Sequence, residues 1–339
     1  MRYPVATAAL LAALTHAGCN SGGSSSPPAG TSSSGPAPSS PSAPSTPSTP
    51  STPSTPSTPT TPSTPTTPAA PVDDLAALSD EFDDPATLAN WRRIYQTEQW
   101  GFDQLESHDL GATRAGWLTL VPYTSSWYED YRGVLVYKDL SGDFVATTHV
   151  LSTNRAGSAP PSRLYSLAGI MVRAPRNVTP ATWQPGQEDY VFLSLGAASV
   201  PGSAQTEVKT TDDGTSTLTI DAAAGSEAWI RVARIGSAVI CLIREASTPW
   251  RVHRRFARAD LPQALQVGLT VYTDWDNVQV LTPQVHNTTQ ITTGQPDLRA
   301  QFDFVRYARP VVPAGLQGRD LADPAQVSDL ELLTFLGQN

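Results

Sequence analysis

From Gly116 to Ala308 the sequence runs through one short alternating segment after another, and this period of two constrains the fold more than any other feature. Apolar and polar residues exchange places in GWLTLVP (116–122), GDFVATTHVLS (142–152), DYVFLSLG (189–196), STLTIDA (216–222), AWIRVARIG (228–236) and AVICLIRE (238–245). The pattern resumes in WRVHRRF (250–256), ALQVGLTVYT (264–273) and AQFDFVRYA (300–308). Successive side chains of a strand point to opposite faces, so each run can bury one face and wet the other. The runs are rich in Val, Ile, Thr and aromatics, and Gly, Pro, Asp and Asn stand between them. Helical periodicity is scarce. The expectation is one large all-β domain over 72–310, a sandwich of two packed antiparallel sheets.

Two stretches depart from this rhythm. In the C-terminal extension, 311–339, DPAQVSDLELLTFLG (323–337) predicts a short helix with Asp323 as cap, Pro324 in the first turn and Gly337 at its end. Val327, Leu330 and Leu333 recur there at helical spacing and should pack onto the sandwich. A shorter helical turn is expected in DPATLANW (84–91).

The chain opens with Arg2, an apolar run from Val5 to Leu14 and small residues before Cys19. Such a run falls short of the roughly 20 residues a bilayer span needs and reads as an export signal. Leu14-Thr15-His16-Ala17-Gly18-Cys19 resembles the lipobox of bacterial lipoproteins, in which the cysteine is lipidated; His16 departs from the aliphatic residue usual there. The resemblance implies a signal over 1–19 with Cys19 as lipid anchor, the alternative being an ordinary signal cleaved near Ala17. Asn20 is not an aspartate, which implies an outer-membrane destination. Cys241, in AVICLI, is expected as a small buried hydrophobe unpaired with Cys19.

Residues 20–71 are almost wholly Ser, Thr, Pro, Gly and Ala, with eight Ser-Thr-Pro or Thr-Thr-Pro triplets from Ser45 to Pro68. This composition offers nothing to bury, and its prolines favour extended polyproline II, so a disordered but stiff stalk is expected. At about 3.1 Å per residue the triplets alone would reach roughly 75 Å. The net charge of −9, without a large basic patch, argues against nucleic acid as a partner.

The order and wording of the strands resemble a known group. DEFDDPATLANW (80–91) is followed by GWLTL, a Trp-bearing loop, LVYKDLSGDFVATTHV (135–150), LAGIMVRAP (167–175), TPWRVHRRFARADLPQALQVGLTVYT and AQFDFV. Over roughly 79–308 this resembles the concanavalin A-like jelly-roll domains found as glycosidase accessory modules and as free-standing "regulation of enolase protein 1-like" domains. The resemblance implies a jelly-roll sandwich, and possible structural calcium with no other cofactor. It does not settle activity, because fold does not imply function.

Laminarinase-type hydrolases of this fold carry E-x-D-x-x-E on one strand, since retaining chemistry needs carboxyl groups about 5–5.5 Å apart. No such motif occurs here, and Glu129 and Asp130 are adjacent. The Gln-x-His pair of alginate-lyase relatives has only QVH (284–286) as a counterpart, in an apparent loop. None of His108, His149, His253 and His286 has a nucleophile context, and no paired His or Cys spacing suggests zinc.

The stretch SSWYEDYRG (125–133) therefore reads as a loop between strands. Trp127, Tyr128 and Tyr131 could stack on sugar rings while Glu129 and Asp130 accept hydroxyl hydrogen bonds, with Trp275 a further stacking residue. Alternatively Trp127 and Tyr131 cap the open end of the sandwich while Glu129 and Asp130 are solvated. In WRVHRRF the odd face carries Arg251, His253 and Arg255, a cationic outer row suited to an anionic polysaccharide or to a protected edge. Asp274, Asp276 and Asn277, and Asp212 and Asp213, form acidic turns that could hold calcium, although Asp212-Asp213-Gly214 is first a hairpin signal.

The expected function is envelope-anchored, non-catalytic binding of a carbohydrate, with the membrane reached through the lipid. Two alternatives remain. One is a glycosidase or lyase using Glu129, Asp130, Glu188 or Asp189. The other is a protein-docking module, which burial of Trp127, Trp183 and Trp275 would favour.

Overall fold

The computed structural model describes residues 73–246 and 248–338; the expected signal, Cys19 and stalk lie outside them. The strands are β1 (Arg92–Arg93), β2 (Leu105–Leu110), β3 (Leu118–Pro122), β4 (Val134–Ser141), β5 (Phe144–Thr153), β6 (Ser166–Arg173) and β7 (Tyr190–Ala197). They continue with β8 (Gln205–Asp212), β9 (Thr215–Ala222), β10 (Glu227–Ile235), β11 (Ala238–Arg244), β12 (Arg251–Ala257), β13 (Ala264–Tyr272) and β14 (Arg299–Ala308). One sheet has the order β1-β4-β13-β6-β7-β8-β9 and the other β12-β11-β10-β5-β14-β3-β2, with every pairing antiparallel. This is a two-sheet jelly-roll sandwich. Its core interleaves Val136, Ile170, Val191 and Val267 from the first sheet with Phe144, Val150, Ile230, Cys241 and Phe302 from the second.

Each of the nine alternating runs contains a strand. Asp212-Asp213-Gly214 makes the predicted hairpin: Asp212 pairs with Thr215, and Asp213 and Gly214 have φ of +46° and +72°. Positive φ at both central residues is what a two-residue turn between twisted strands requires. Among the described residues, no helix is long and apolar enough to cross a membrane.

The helical expectations shift in detail. DPATLANW forms a 3-10 turn over Pro85–Asn90, capped by Asp84. Four short α-helices occur among the described residues: α1 (Ile94–Thr97), α2 (Trp275–Val278), α3 (Pro283–Thr288) and α4 (Asp329–Leu336). The C-terminal helix thus begins later than predicted, because Ser328 and Glu331 form a reciprocal capping box, a stronger start signal than Asp323-Pro324. Its buried face is Leu332 and Leu336, and Leu330 stays 76% exposed.

The cationic row of WRVHRRF does not form. Pairing of β12 with β11 passes from Val252 opposite Leu242 to Arg254 opposite Cys241, leaving His253 as an extra residue. This bulge exchanges the faces of odd and even residues. Arg255 is carried under α4, donating to the Val327 carbonyl at 2.5 Å, and His253 is buried beside Thr206 and Asp221. Burial, together with the charges of Arg251 and Arg254, pushes the His253 pKa down to about 4.

Candidate functional site

The first sheet turns one face to the core. Its other face carries Leu135, Tyr137, Leu167, Met171, Tyr190, Phe192 and Tyr272, with the charged residues Arg173, Glu207 and Lys209 among them, all buried. Residues 94–104, 123–133 and 176–188 lie over much of this face. They are tied down by an internal ion cluster: Arg132 Nε donates to Glu188 Oε1 (2.8 Å), Arg173 Nε to Glu188 Oε2 (2.8 Å) and Arg173 Nη1 to Glu98 Oε1 (2.8 Å). Arg132 also pairs with Glu98, and Arg176 Nη1 reaches Glu188 Oε1 at 2.9 Å. Burial alone would raise the Glu188 pKa, but the guanidinium groups of Arg132 and Arg173 override it and hold the carboxyl far below its ordinary range. Glu188 is therefore a buried counter-ion with no exposed surface.

SSWYEDYRG leaves the sandwich on a bridge between Ser125 and Thr273 and turns at Tyr128–Tyr131. Glu129 adopts a φ of +49° in that turn, where its N–H donates to Ser216 Oγ at 2.7 Å. Trp127 does not present a face to ligand, contrary to expectation. It has no exposed surface, donates from Nε1 to the Val134 carbonyl (3.0 Å) and sets its ring edge-to-face against Tyr190 at 5.4 Å. A side chain on the neighbouring Gly133 would lie 2.8 Å from its Cδ1, which is why the loop continues with glycine. The apolar indole is drawn inward because the sheet face below it is itself apolar.

Asp130 is buried and turns away, its Oδ2 accepting from Gly186 N–H at 2.8 Å; burial raises its pKa. Tyr131 is buried as well, donating from its hydroxyl to the Leu281 carbonyl at 2.6 Å. Asp130 is thus neither exposed to a ligand nor solvated, and the burial of Tyr131 matches the alternative in which it caps the sandwich. Glu129 stands beside the Tyr128 hydroxyl.

Beside this loop lies an open cleft of about 250 Å³ lined by Ser126, Tyr128, Tyr165, Lys209, Leu218 and Trp275. Trp275, at the start of α2, is the centre of an edge-to-face group. Its ring centroid lies 5.4 Å from Tyr128, 5.5 Å from Tyr131 and 6.4 Å from Tyr165. Trp127 and Trp183 are buried, whereas Trp275 is only half-buried.

Lys209 on β8 closes the floor. Its Nζ donates to the Trp127 carbonyl and lies 2.8 Å from Glu207 Oε1, with the Tyr128 ring centroid 5.1 Å away. Tyr272 donates to Glu207 Oε2 at 3.0 Å. Burial lowers the Lys209 pKa, opposed by the Glu207 charge. Among the described residues, the Ser126 hydroxyl, the Tyr165 hydroxyl and Trp275 Nε1 have no protein partner. An aromatic wall, a polar floor and uncommitted hydrogen-bonding groups together suit a small amphipathic ring.

Of the six expected ligand contacts, then, Tyr128 and Trp275 line the cleft, and Tyr131 buttresses Trp275 from behind. Sequence reasoning missed Ser126, Tyr165, Lys209 and Leu218. One signal was present: in QTEVKTTD, Glu207 and Lys209 sit two residues apart, hence on one face of a strand.

His286 does not lie in a loop, as QVH suggested. It belongs to α3, fully buried, and its Nε2 accepts from the Ser126 N–H at 3.2 Å, fixing one wall of the cleft. Burial pushes its pKa down to about 4. Asp189, Asp212 and Asp260 bring carboxylate oxygens within 4.8 Å of one another, the one acidic grouping of metal-holding geometry among the described residues. Arg258 Nη2 already stands 2.6 Å from Asp260 Oδ2. Asp274 accepts from Thr124 Oγ1 (2.7 Å), the Gln295 N–H (2.6 Å) and Asn277 Nδ2 (2.9 Å).

No family model matches the chain, and no curated protein matches it. Several solved structures resemble it. A functionally unknown protein from Saccharomyces cerevisiae aligns at TM-score 0.45 and 17% identity, over 66% of this chain and 98% of that one. A xylan β-1,4-xylosidase from Bacillus halodurans C-125 aligns at 0.45 and 12%, over 68% of this chain and 39% of that one. The β-glucanase of Bacillus licheniformis aligns at 0.37 and 10%, over 65% and 92%. At these scores the architecture rests on the chain's own sheet topology.

Proposed function

We propose that the chain is a non-catalytic carbohydrate-binding protein whose site is the cleft under Trp275. The observation that carries this reading is the half-open Trp275–Tyr128–Tyr165 group standing beside the unpartnered Ser126 hydroxyl and the Lys209 ammonium. A sugar ring has apolar C–H faces for the aromatics and equatorial hydroxyls for the polar groups. Binding is preferred to turnover because the carboxylate beneath the floor, Glu207, is already engaged by Lys209 and Tyr272. Retaining hydrolysis needs two carboxyl groups placed across a bond.

The test is retention of the full chain on a panel of insoluble polysaccharides, beside Trp275→Ala, with release of reducing ends and unsaturated products followed in parallel. Loss of retention by about tenfold or more in the variant, with no product, supports the reading. Product release refutes the non-catalytic part, and retention unchanged in Trp275→Ala refutes the site. The sequence supports a further element, display at the cell envelope through a lipid on Cys19 and the 20–71 stalk. Cys19→Ala should then move the chain from the membrane fraction to the soluble one.

A further inference from the structure

We infer that the cleft is an end-recognition pocket, taking the terminal ring of a glycan chain and not an internal stretch of chain lying across the sheet. The inference rests on the carbohydrate reading above and adds the part of the polymer that is bound. An open sheet face would offer a groove along β4, β13, β6 and β7, but that path is closed: Tyr137, Met171, Tyr190 and Phe192 have no exposed surface. Trp127 and Ile94 pack over them, and Arg132, Arg173, Glu98 and Glu188 anchor the covering segments through buried ion pairs.

The wall between this filled region and the cleft is fixed to the floor. Lys209 on β8 holds the Trp127 carbonyl, and the next residue back, Ser126, is held through its N–H by His286. Moving the wall would strip a buried ammonium and a buried imidazole of partners, so it is not a lid. The space that remains, about 250 Å³, lies below the roughly 300–1,000 Å³ of ordinary small-molecule sites and suits a single ring. Leu218 on β9, the edge strand of the sheet, also lines it.

Two groups at the closed end are free to read a terminal sugar. The Ser126 side chain is 2% exposed, lines the cleft and carries a hydroxyl without a protein partner among the described residues. An ammonium has three N–H donors, and Lys209 uses one on the Trp127 carbonyl while Glu207 Oε1 balances its charge at 2.8 Å without a hydrogen bond, so donor capacity remains for a ligand hydroxyl.

The experiment is calorimetric titration of the full chain with ladders of gluco-, xylo- and manno-oligosaccharides from disaccharide to hexasaccharide, repeated with Ser126→Ala. The expected result is an affinity that stays within about threefold along the productive ladder. Ser126→Ala should weaken every member by the same factor, about five- to tenfold, the worth of one hydrogen bond. Affinity climbing about tenfold with added rings would overturn the end pocket while leaving carbohydrate binding intact. Absence of binding both to every ladder and to the polysaccharide panel would remove the carbohydrate reading and this inference with it. Ser126→Ala deletes only an uncommitted hydroxyl, so its melting curve should coincide with that of the unaltered chain.

Discussion

Replacing Trp127 by alanine asks whether the most conspicuous aromatic of SSWYEDYRG is a strut or a platform for ligand. The indole is wholly buried, and a Trp side chain removes about 150–250 Å² from water. At about 25 cal/mol per Å² that is worth roughly 4–6 kcal/mol, and a compact denatured chain trims it to about 3–5 kcal/mol. The figure agrees with the roughly 3–5 kcal/mol seen for Trp or Phe truncation in cores. The lost hydrogen bond adds little, because the Val134 carbonyl keeps Thr270 Oγ1 at 3.1 Å and is not orphaned. The Lys209 contact survives, since it is made to the Trp127 backbone oxygen. Urea unfolding followed by circular dichroism should show a loss of about 3–5 kcal/mol, or complete failure to fold. Trp127→Phe, which fills most of the space but lacks Nε1, should fold and lose about 1–3 kcal/mol. A loss under about 1 kcal/mol in the alanine variant would refute the reasoning, placing the indole in water and available to ligand after all.

Three other outcomes follow from the same coordinates. Glu188→Gln removes a buried charge that faces Arg132, Arg173 and Arg176 and should cost about 3–5 kcal/mol at neutral pH. Because the folded pKa of Glu188 lies below the ordinary 4.5, its contribution is complete above that pH and is lost as pH falls below it; the gap between variant and unaltered chain should narrow on acidification. His286, lowered from 6.5 to about 4, should make folding fully favourable above pH 6.5 and progressively weaker down to pH 4, by about 3 kcal/mol. His286→Gln should flatten that fall by roughly half in urea titrations, since His253 shares the window. The Cys241 thiol, buried and pushed up to about 12, should not react with a disulfide reagent until the chain unfolds; rapid labelling in the native state would contradict its place in the core.

Much of the fold was legible because strand formation is local. An alternation such as DYVFLSLG or ALQVGLTVYT declares a strand by itself, and Asp213-Gly214 declares its turn, whatever the rest of the chain does. The pattern fails where a neighbouring strand intervenes. The alternation of WRVHRRF cannot reveal that β11 skips His253, since a bulge belongs to the pair and not to one strand. Leu330 fits the helical spacing but is exposed, because the capping box at Ser328 set where α4 begins and the sandwich set which face it buries.

The site divides in the same way. Tyr128 and Trp275 could be picked out as aromatics among turn residues, a local signal. That Trp127 sinks beneath the loop while Tyr128 stays at the cleft follows from a covered apolar sheet face, built by β4, β6, β7 and β13 and invisible from residues 125–133 alone. Glu207 and Lys209 become a cleft floor only because folding sets the Trp127 carbonyl on Lys209 and brings Tyr165 and Trp275 beside it. By itself the sequence determined the alternating strands and the turn at Asp213-Gly214, because each depends on residues within a few positions of one another. Tertiary structure alone decided which aromatics face water and which charges are buried in pairs, because burial depends on segments far apart in the chain meeting over one sheet.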